Sequence, residues 1–300
     1  MSRVEEARRR AAGDVQPRPY PDLSSVIDVP GNASVLDDYP REHRAADRTS
    51  PVAASRTIAA PRSVSSGHMA SLEPGLKGKL VGGSETQPIV LEQYRRLASS
   101  LHHLQVDAGL KTLMVTSALP RDGKTLTVTN LALTLSGSYL RRVLLIDADL
   151  RRPSLHTVFR LPKTTGLSEA LRSGNRPHFL ELSPLLSILP AGEGTQDPLG
   201  ALTSDRFATL LTDCATAFDW VLLDSPPVGL MPDGNVLAKL TKAVVFVIGA
   251  GTTSHKIIER AIAEIGRDNI VGTVLNRIDE KELSTAEGYD HYYSMTDSPR

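Results

Sequence analysis

Only one cysteine, Cys214, occurs in the 300 residues. An intramolecular disulfide and a cysteine-cluster metal site are therefore excluded, and the usage fits a reducing compartment. Cys214 lies in "RFATLLTDCATAF", a helical pattern, where a small buried hydrophobe is expected rather than a nucleophile. Net charge is also missing: Lys plus Arg and Asp plus Glu are 34 each. No global field attracts a polyanion, so nucleic acid is not an expected partner. Long apolar runs are absent too. The longest, "VVFVIGAG" and "VLLID", are strand-length, far short of the roughly 18 to 20 apolar residues of a membrane span. The first ten residues, "MSRVEEARRR", contain no apolar stretch of a secretory signal. A soluble, cytoplasmic protein is expected. If it works at the inner face of the membrane, a partner must bring it there.

What is present divides into three parts. Residues 1–85 are rich in Pro, Ser, Ala, Arg and Asp without periodicity, as in "PRPYPDLSS" and "APRSVSSGHM". Such a stretch buries too little apolar area to offset its chain entropy, and a disordered linker arm is expected. Ser2 and Glu5 have capping-box spacing for a short leading helix. From residue 86 to 280 the pattern becomes regular. Leu91, Tyr94, Leu97, Leu101 and Leu104 recur at helical spacing. After them, short β-branched runs alternate with helical segments, from "KTLMVTS" to "NIVGTVLNRI". This predicts an α/β fold: a mostly parallel sheet with helices on both faces, of the P-loop kind. Residues 281–300 read as a flexible, polar tail.

In such sheets ligands bind at the carboxyl ends of strands, so a chemical motif should follow a strand directly. Three do. "SALPRDGKT" follows the strand "LMVTS" and opens a helix. It approximates G-x-x-x-x-G-K-[ST], although Ala118 replaces the first glycine. In this reading Leu119, Pro120, Arg121, Asp122, Gly123, Lys124, Thr125 and Leu126 surround the phosphates of ATP. Backbone N–H groups at the helix start face phosphate oxygens, Lys124 reaches the outer phosphates and Thr125 ligates Mg²⁺. "VLLIDADLRRP" ends a strand with Asp147 and Asp149, costly neighbours unless a cation neutralises them. Surface aspartates paired to Arg151 and Arg152 are the bland alternative. "WVLLDSPPVG" closes an apolar strand with Asp224, as a Walker-B aspartate does; a helix N-cap is the bland alternative there.

Together "SALPRDGKT", "LLIDADLRRP" and "VLLDSPPV" resemble the Walker A, A′ and B elements of the bacterial tyrosine kinases of capsule and exopolysaccharide synthesis, over roughly residues 88 to 295. "VLNRID", with Asn276, resembles that family's last strand and adds Asn276 to the ATP-binding set. The resemblance implies that Lys124, Asp147, Asp149 and Asp224 carry the catalysis, with Thr125, Asp147 and Asp224 at the metal. It implies Mg-ATP as substrate and cofactor, homo-oligomers, and a separate membrane-spanning activator or chain-length adaptor of polysaccharide export. The family's tyrosine cluster is reduced here to "GYDHYY", which makes Tyr289, Tyr292 and Tyr293 the expected phosphate acceptors. The family's E-x-x-R-x-x-R helix pattern is incomplete: Glu92 and Arg95 fit, but Ala98 fills the third position. The same deviant-Walker class includes ParA/MinD-type ATPases, so a nucleotide switch that positions a partner is the alternative. Those relatives usually carry a lysine where this chain has Leu119, which favours the kinase branch.

Overall fold

The computed structural model describes residues 62–63, 73–82, 86–161 and 165–278. Its centre is a sheet built from β1 (Arg62–Ser63), β2 (Thr112–Ser117), β3 (Val143–Asp147), β4 (Leu180–Ser183), β5 (Leu186–Leu189), β6 (Trp220–Asp224), β7 (Val244–Gly249) and β8 (Ile270–Asn276). The spatial order is β1-β4-β5-β3-β6-β2-β7-β8. All pairings are parallel except β4 with β5. The helices are α1 (Pro88–Ala108), α2 (Lys124–Gly137), α3 (Leu155–Val158), α4 (Leu167–Ser173), α5 (Pro198–Leu202), α6 (Asp205–Ala217), α7 (Pro232–Thr241) and α8 (His255–Ile265).

Strand alternation sorts the core into two layers. Leu113, Val115, Val143, Leu145, Trp220 and Leu222 face one side, where Ala98 and Leu101 of α1 and Val128, Leu131 and Leu135 of α2 cover them. Met114, Leu144, Ile146, Val221 and Leu223 face the other, beneath Phe207, Leu211 and Cys214 of α6, Leu237 of α7 and Ala261 of α8. Continuous apolar strands with helices on both faces are what a buried parallel sheet requires. The same alternation sends Asp147 and Asp224 to the α2 side, since each lies two residues after a member of that layer, Leu145 and Leu222.

Most of the expected strands and helices from residue 88 onward form within about two residues of their predicted ends, but α1 continues past Leu104 to Ala108 and β5 stops at Leu189, short of Gly192. Several short pieces escape the sequence reading. β4 makes an antiparallel hairpin with β5 through Pro184 and Leu185, and α3 and α5 are about one turn each. A 3₁₀ turn, Pro74–Lys79, precedes Leu80 and Val81, which are buried in the α1/α2 layer. Asn130 of α2 fixes this segment by accepting from Val81 N (2.9 Å) and donating to Lys79 O (2.9 Å). The packed structure thus begins ahead of residue 86, within the stretch expected to be an arm. Two buried apolar residues beside a six-residue turn are too few to show a period. The expected leading helix at Ser2 lies outside the described residues, as do residues 279–300. Among the described residues no helix is long and apolar enough to cross a membrane.

Candidate functional site

The loop after β2 is held by its own side chain and by the far edge of the sheet. Asp122, almost fully buried, turns its carboxylate inward: Oδ2 accepts from Leu119 N (3.1 Å) and Oδ1 accepts from Thr253 Oγ1 (2.8 Å). At the end of β8, Asn276 Nδ2 donates to Asp122 O (2.8 Å), and Arg277 Nη2 donates to Arg121 O. Gly123 has φ +106° and lies against the Asn276 amide, so only glycine fits both the dihedral and the space. Leu119 is half-buried, whereas Pro120 and Arg121 are exposed, with Arg121 at φ 70°. Leu126 packs partly against the core. The loop has lost its first glycine but is tied down at four points.

Helix α2 starts at Lys124, and the two strand-end motifs converge there. Lys124 Nζ lies 3.3 Å from Asp149 Oδ2 and 3.8 Å from Asp224 Oδ1. Burial alone would lower the ammonium's pKa, but Asp224 and Asp149 outweigh it and the pKa is raised. Thr125 Oγ1 donates to Asp224 Oδ2 (2.7 Å) and lies 3.0 Å from Ser154 Oγ. Asp147 Oδ2 accepts two backbone bonds at the start of α3, from Ser154 N (2.9 Å) and Leu155 N (3.0 Å). The facing oxygens, Asp147 Oδ1 and Asp224 Oδ1, are buried with no hydrogen-bond partner. Burial and the neighbouring Asp224 raise Asp147 to about 8, against two backbone bonds that lower it. Burial also raises Asp224, opposed by Lys124 and Thr125. Asp147 and Asp149 are buried rather than at the surface, and Asp224 accepts from side-chain hydroxyls rather than from a helix start, so both bland alternatives fail.

Two buried carboxylate oxygens that accept no hydrogen bond, beside a threonine hydroxyl, are a hard, anionic donor set that suits Mg²⁺. Among the described residues no three acidic, His or Cys side chains form a closed metal cage. A cation here would draw further oxygens from a nucleotide or water, as Mg²⁺ commonly does. The structure brings Leu119 to Leu126, Asp147, Asp149, Asp224 and Asn276 together at the carboxyl ends of adjacent strands. Tyr289, Tyr292 and Tyr293 lie outside the described residues. Arg151 does not pair with Asp147 or Asp149. It holds Asp233 of α7 through Nε to Oδ2 (2.6 Å) and Nη2 to Oδ1 (3.3 Å). Glu92 and Arg95 do form an exposed pair on α1, at 3.7 Å. Ser154 and Thr253 were not legible as site residues, because a lone hydroxyl in a loop has no spacing to read.

No family model matches the chain. Similarity to individual proteins is clear. The tyrosine-protein kinase CpsD of Streptococcus agalactiae is 30% identical over 189 residues, which cover 61% of this chain and 81% of that protein. The chain belongs to the bacterial tyrosine-protein kinases. Another family member, tyrosine-protein kinase YwqD of Bacillus subtilis, is 29% identical over 229 residues, covering 72% of this chain and 92% of its own length. In structure, the chimerical protein CapA2B2 superposes with a TM-score of 0.62 at 25% identity, over 70% of this chain and 92% of that one. A longer relative is matched over a smaller share: the succinoglycan biosynthesis transport protein ExoP of Rhizobium meliloti is 28% identical over 27% of its length.

Proposed function

We propose that this family member is an ATP-dependent tyrosine autokinase, transferring the γ-phosphoryl of Mg-ATP to Tyr289, Tyr292 and Tyr293 and so regulating capsule or exopolysaccharide synthesis. The observation that carries the reading is the convergence of Lys124, Thr125, Asp147, Asp149 and Asp224 around two buried carboxylate oxygens that accept no hydrogen bond. In this reading the braced loop Leu119–Leu126 presents backbone N–H groups to the phosphates, and Asn276 supports the nucleotide side. Lys124, now shared between Asp149 and Asp224, turns to the outer phosphates. Thr125, Asp147 and Asp224 would hold Mg²⁺, which would supply neutralisation of the phosphate charge. The acceptor phenol oxygen forms a bond to Pγ as the bond from Pγ to the β,γ-bridging oxygen breaks, and ADP departs. The phenol proton passes to a strand-end carboxylate, Asp147 or Asp149.

The kinase names of the relatives support this activity, and the ExoP name supports the polysaccharide setting. Because a transport protein shares this unit, we infer that a separate membrane-spanning partner activates the chain at the inner face of the membrane. We also infer that copies of the chain assemble, with the exposed α1 pair Glu92–Arg95 as one contact. Mass spectrometry of the full-length protein incubated with Mg-ATP tests the reading. Phosphotyrosine on residues 289, 292 and 293, absent from Lys124→Ala, is the expected result. ATP binding without phosphotyrosine, even with the partner supplied, refutes it and favours the switch-ATPase alternative.

A further inference from the structure

The acceptor side of the site has features that the nucleotide does not use. The segment joining β6 to α7 lies over the start of the nucleotide loop. Val228 N donates to Ser117 O (3.0 Å), Thr116 Oγ1 donates to Pro226 O (2.9 Å), and a Cβ on Gly229 would stand 2.8 Å from Ala118 O. The next two residues, Leu230 and Met231, are 54% and 39% exposed. Adjacent in sequence and beside the start of the nucleotide loop, these two side chains offer a small apolar surface to a partner. Met231 caps α7 two residues before Asp233, whose carboxylate clamps Arg151. The apolar pair is therefore tied to the Arg-Arg turn after β3. In that turn Arg152 N donates to Asp149 Oδ1 (3.0 Å), which anchors its backbone beside the catalytic carboxylates. Its side chain is exposed, and among the described residues no carboxylate pairs with it.

The remaining observation is charge. Residues 279–300 hold six acids, Asp279, Glu280, Glu282, Glu287, Asp290 and Asp297, against Lys281 and Arg300. Their formal charge is −4, so the other 278 residues of this neutral chain carry +4. Acids also flank the tyrosines: Glu287 stands two before Tyr289, and Asp290 follows it directly.

We propose that Leu230, Met231 and Arg152 form an acceptor-docking surface for the acidic segment 279–300, with the tyrosine rings on the apolar pair and the flanking acids on Arg152. This rests on the autokinase reading and adds to it a specificity for tyrosines flanked by acids. Electrostatic complementarity of this sort selects the partner and speeds encounter more than it adds raw affinity.

A charge swap in the full-length chain tests it. Arg152→Glu, and separately Glu287→Lys with Asp290→Lys, should each slow phosphotyrosine accumulation roughly fivefold to tenfold, as expected for reversing an exposed pair. All three changes together should restore most of the rate, which a merely structural effect would not do. Leu230→Ser with Met231→Ser should slow transfer while calorimetric Mg-ATP affinity stays within twofold. A wild-type rate in Arg152→Glu, or no recovery in the combined protein, overturns the docking surface alone. A wild-type chain that binds Mg-ATP but forms no phosphotyrosine overturns the autokinase reading, and this inference with it.

Discussion

Replacing Gly123 with alanine probes how the nucleotide loop is held. Gly123 has φ +106°, where an L side chain is strained by about 1–2 kcal/mol. The added methyl would also overlap the Asn276 amide, with Asn276 Cγ only 3.1 Å away. The Asn276 amide must swing out and lose its bond to Asp122 O, worth about 0.5–1.5 kcal/mol. The sum is about 1.5–3.5 kcal/mol. At about 1.4 kcal/mol per decade, that is roughly 10- to 300-fold if it all falls on binding. A free loop can relax and be re-strained only when ATP arrives, so the loss divides between affinity and stability. Calorimetric titration with Mg-ATP and denaturant melting, measured together, recover both shares. Asn276→Ala removes the obstacle, so the double variant should lose less than the two single changes added. If Gly123→Ala changes neither affinity nor stability by more than about 0.5 kcal/mol, the brace reasoning is wrong.

Asp147→Asn keeps the size but removes a charge. Phosphoryl transfer should fall by about 10²–10⁴-fold while Mg-ATP binding falls far less; equal loss of both in a filter-binding and kinase assay would confine Asp147 to the metal. A chain beginning at residue 86 loses Leu80 and Val81 and should be about 3–6 kcal/mol less stable than one beginning at Glu73; equal denaturant midpoints would refute the packing argument. The raised pKa of Asp147 makes the metal-free protein pH-sensitive. Its folded form keeps a proton that the unfolded chain releases near 3.8, so this contribution is present at low pH and lost as pH rises through about 8. Filling the site with Mg-ATP at pH 7 should therefore expel a proton, read as a dependence of the binding enthalpy on buffer ionisation heat; no such dependence would refute the coupling.

The central strands were legible because short apolar runs such as VLLID, WVLLD and VVFVIG, each followed by turn or helix signals, have few other interpretations. The three motifs were legible because each sat where a strand had just ended. β4 was missed because Glu181 interrupts its short apolar run and Pro184 ends it, although its antiparallel partner β5 begins only two residues after it. Leu80 and Val81 looked like part of a polar arm, since nothing local reveals that Asn130 grips their backbone. The inward turn of Asp122 is a tertiary fact. Its hydroxyl partner, Thr253, comes from a loop 131 residues later. Helix propensity and spacing say nothing about which way a carboxylate faces.

The register of β3 against β6 sets Asp147 directly opposite Asp224. Neighbouring strands lie about 4.8 Å apart, so the backbone itself fixes the spacing of the two carboxylates. A slip of one residue would send one of them to the opposite face of the sheet and dissolve the pair. Cation demand is thus a signature of correct strand alignment. An ion that neutralises both carboxylates favours the aligned sheet over every misaligned one by its whole binding free energy. A bound ion would then act as a latch on the middle of the sheet, and adding Mg²⁺ should slow hydrogen exchange in β3 and β6.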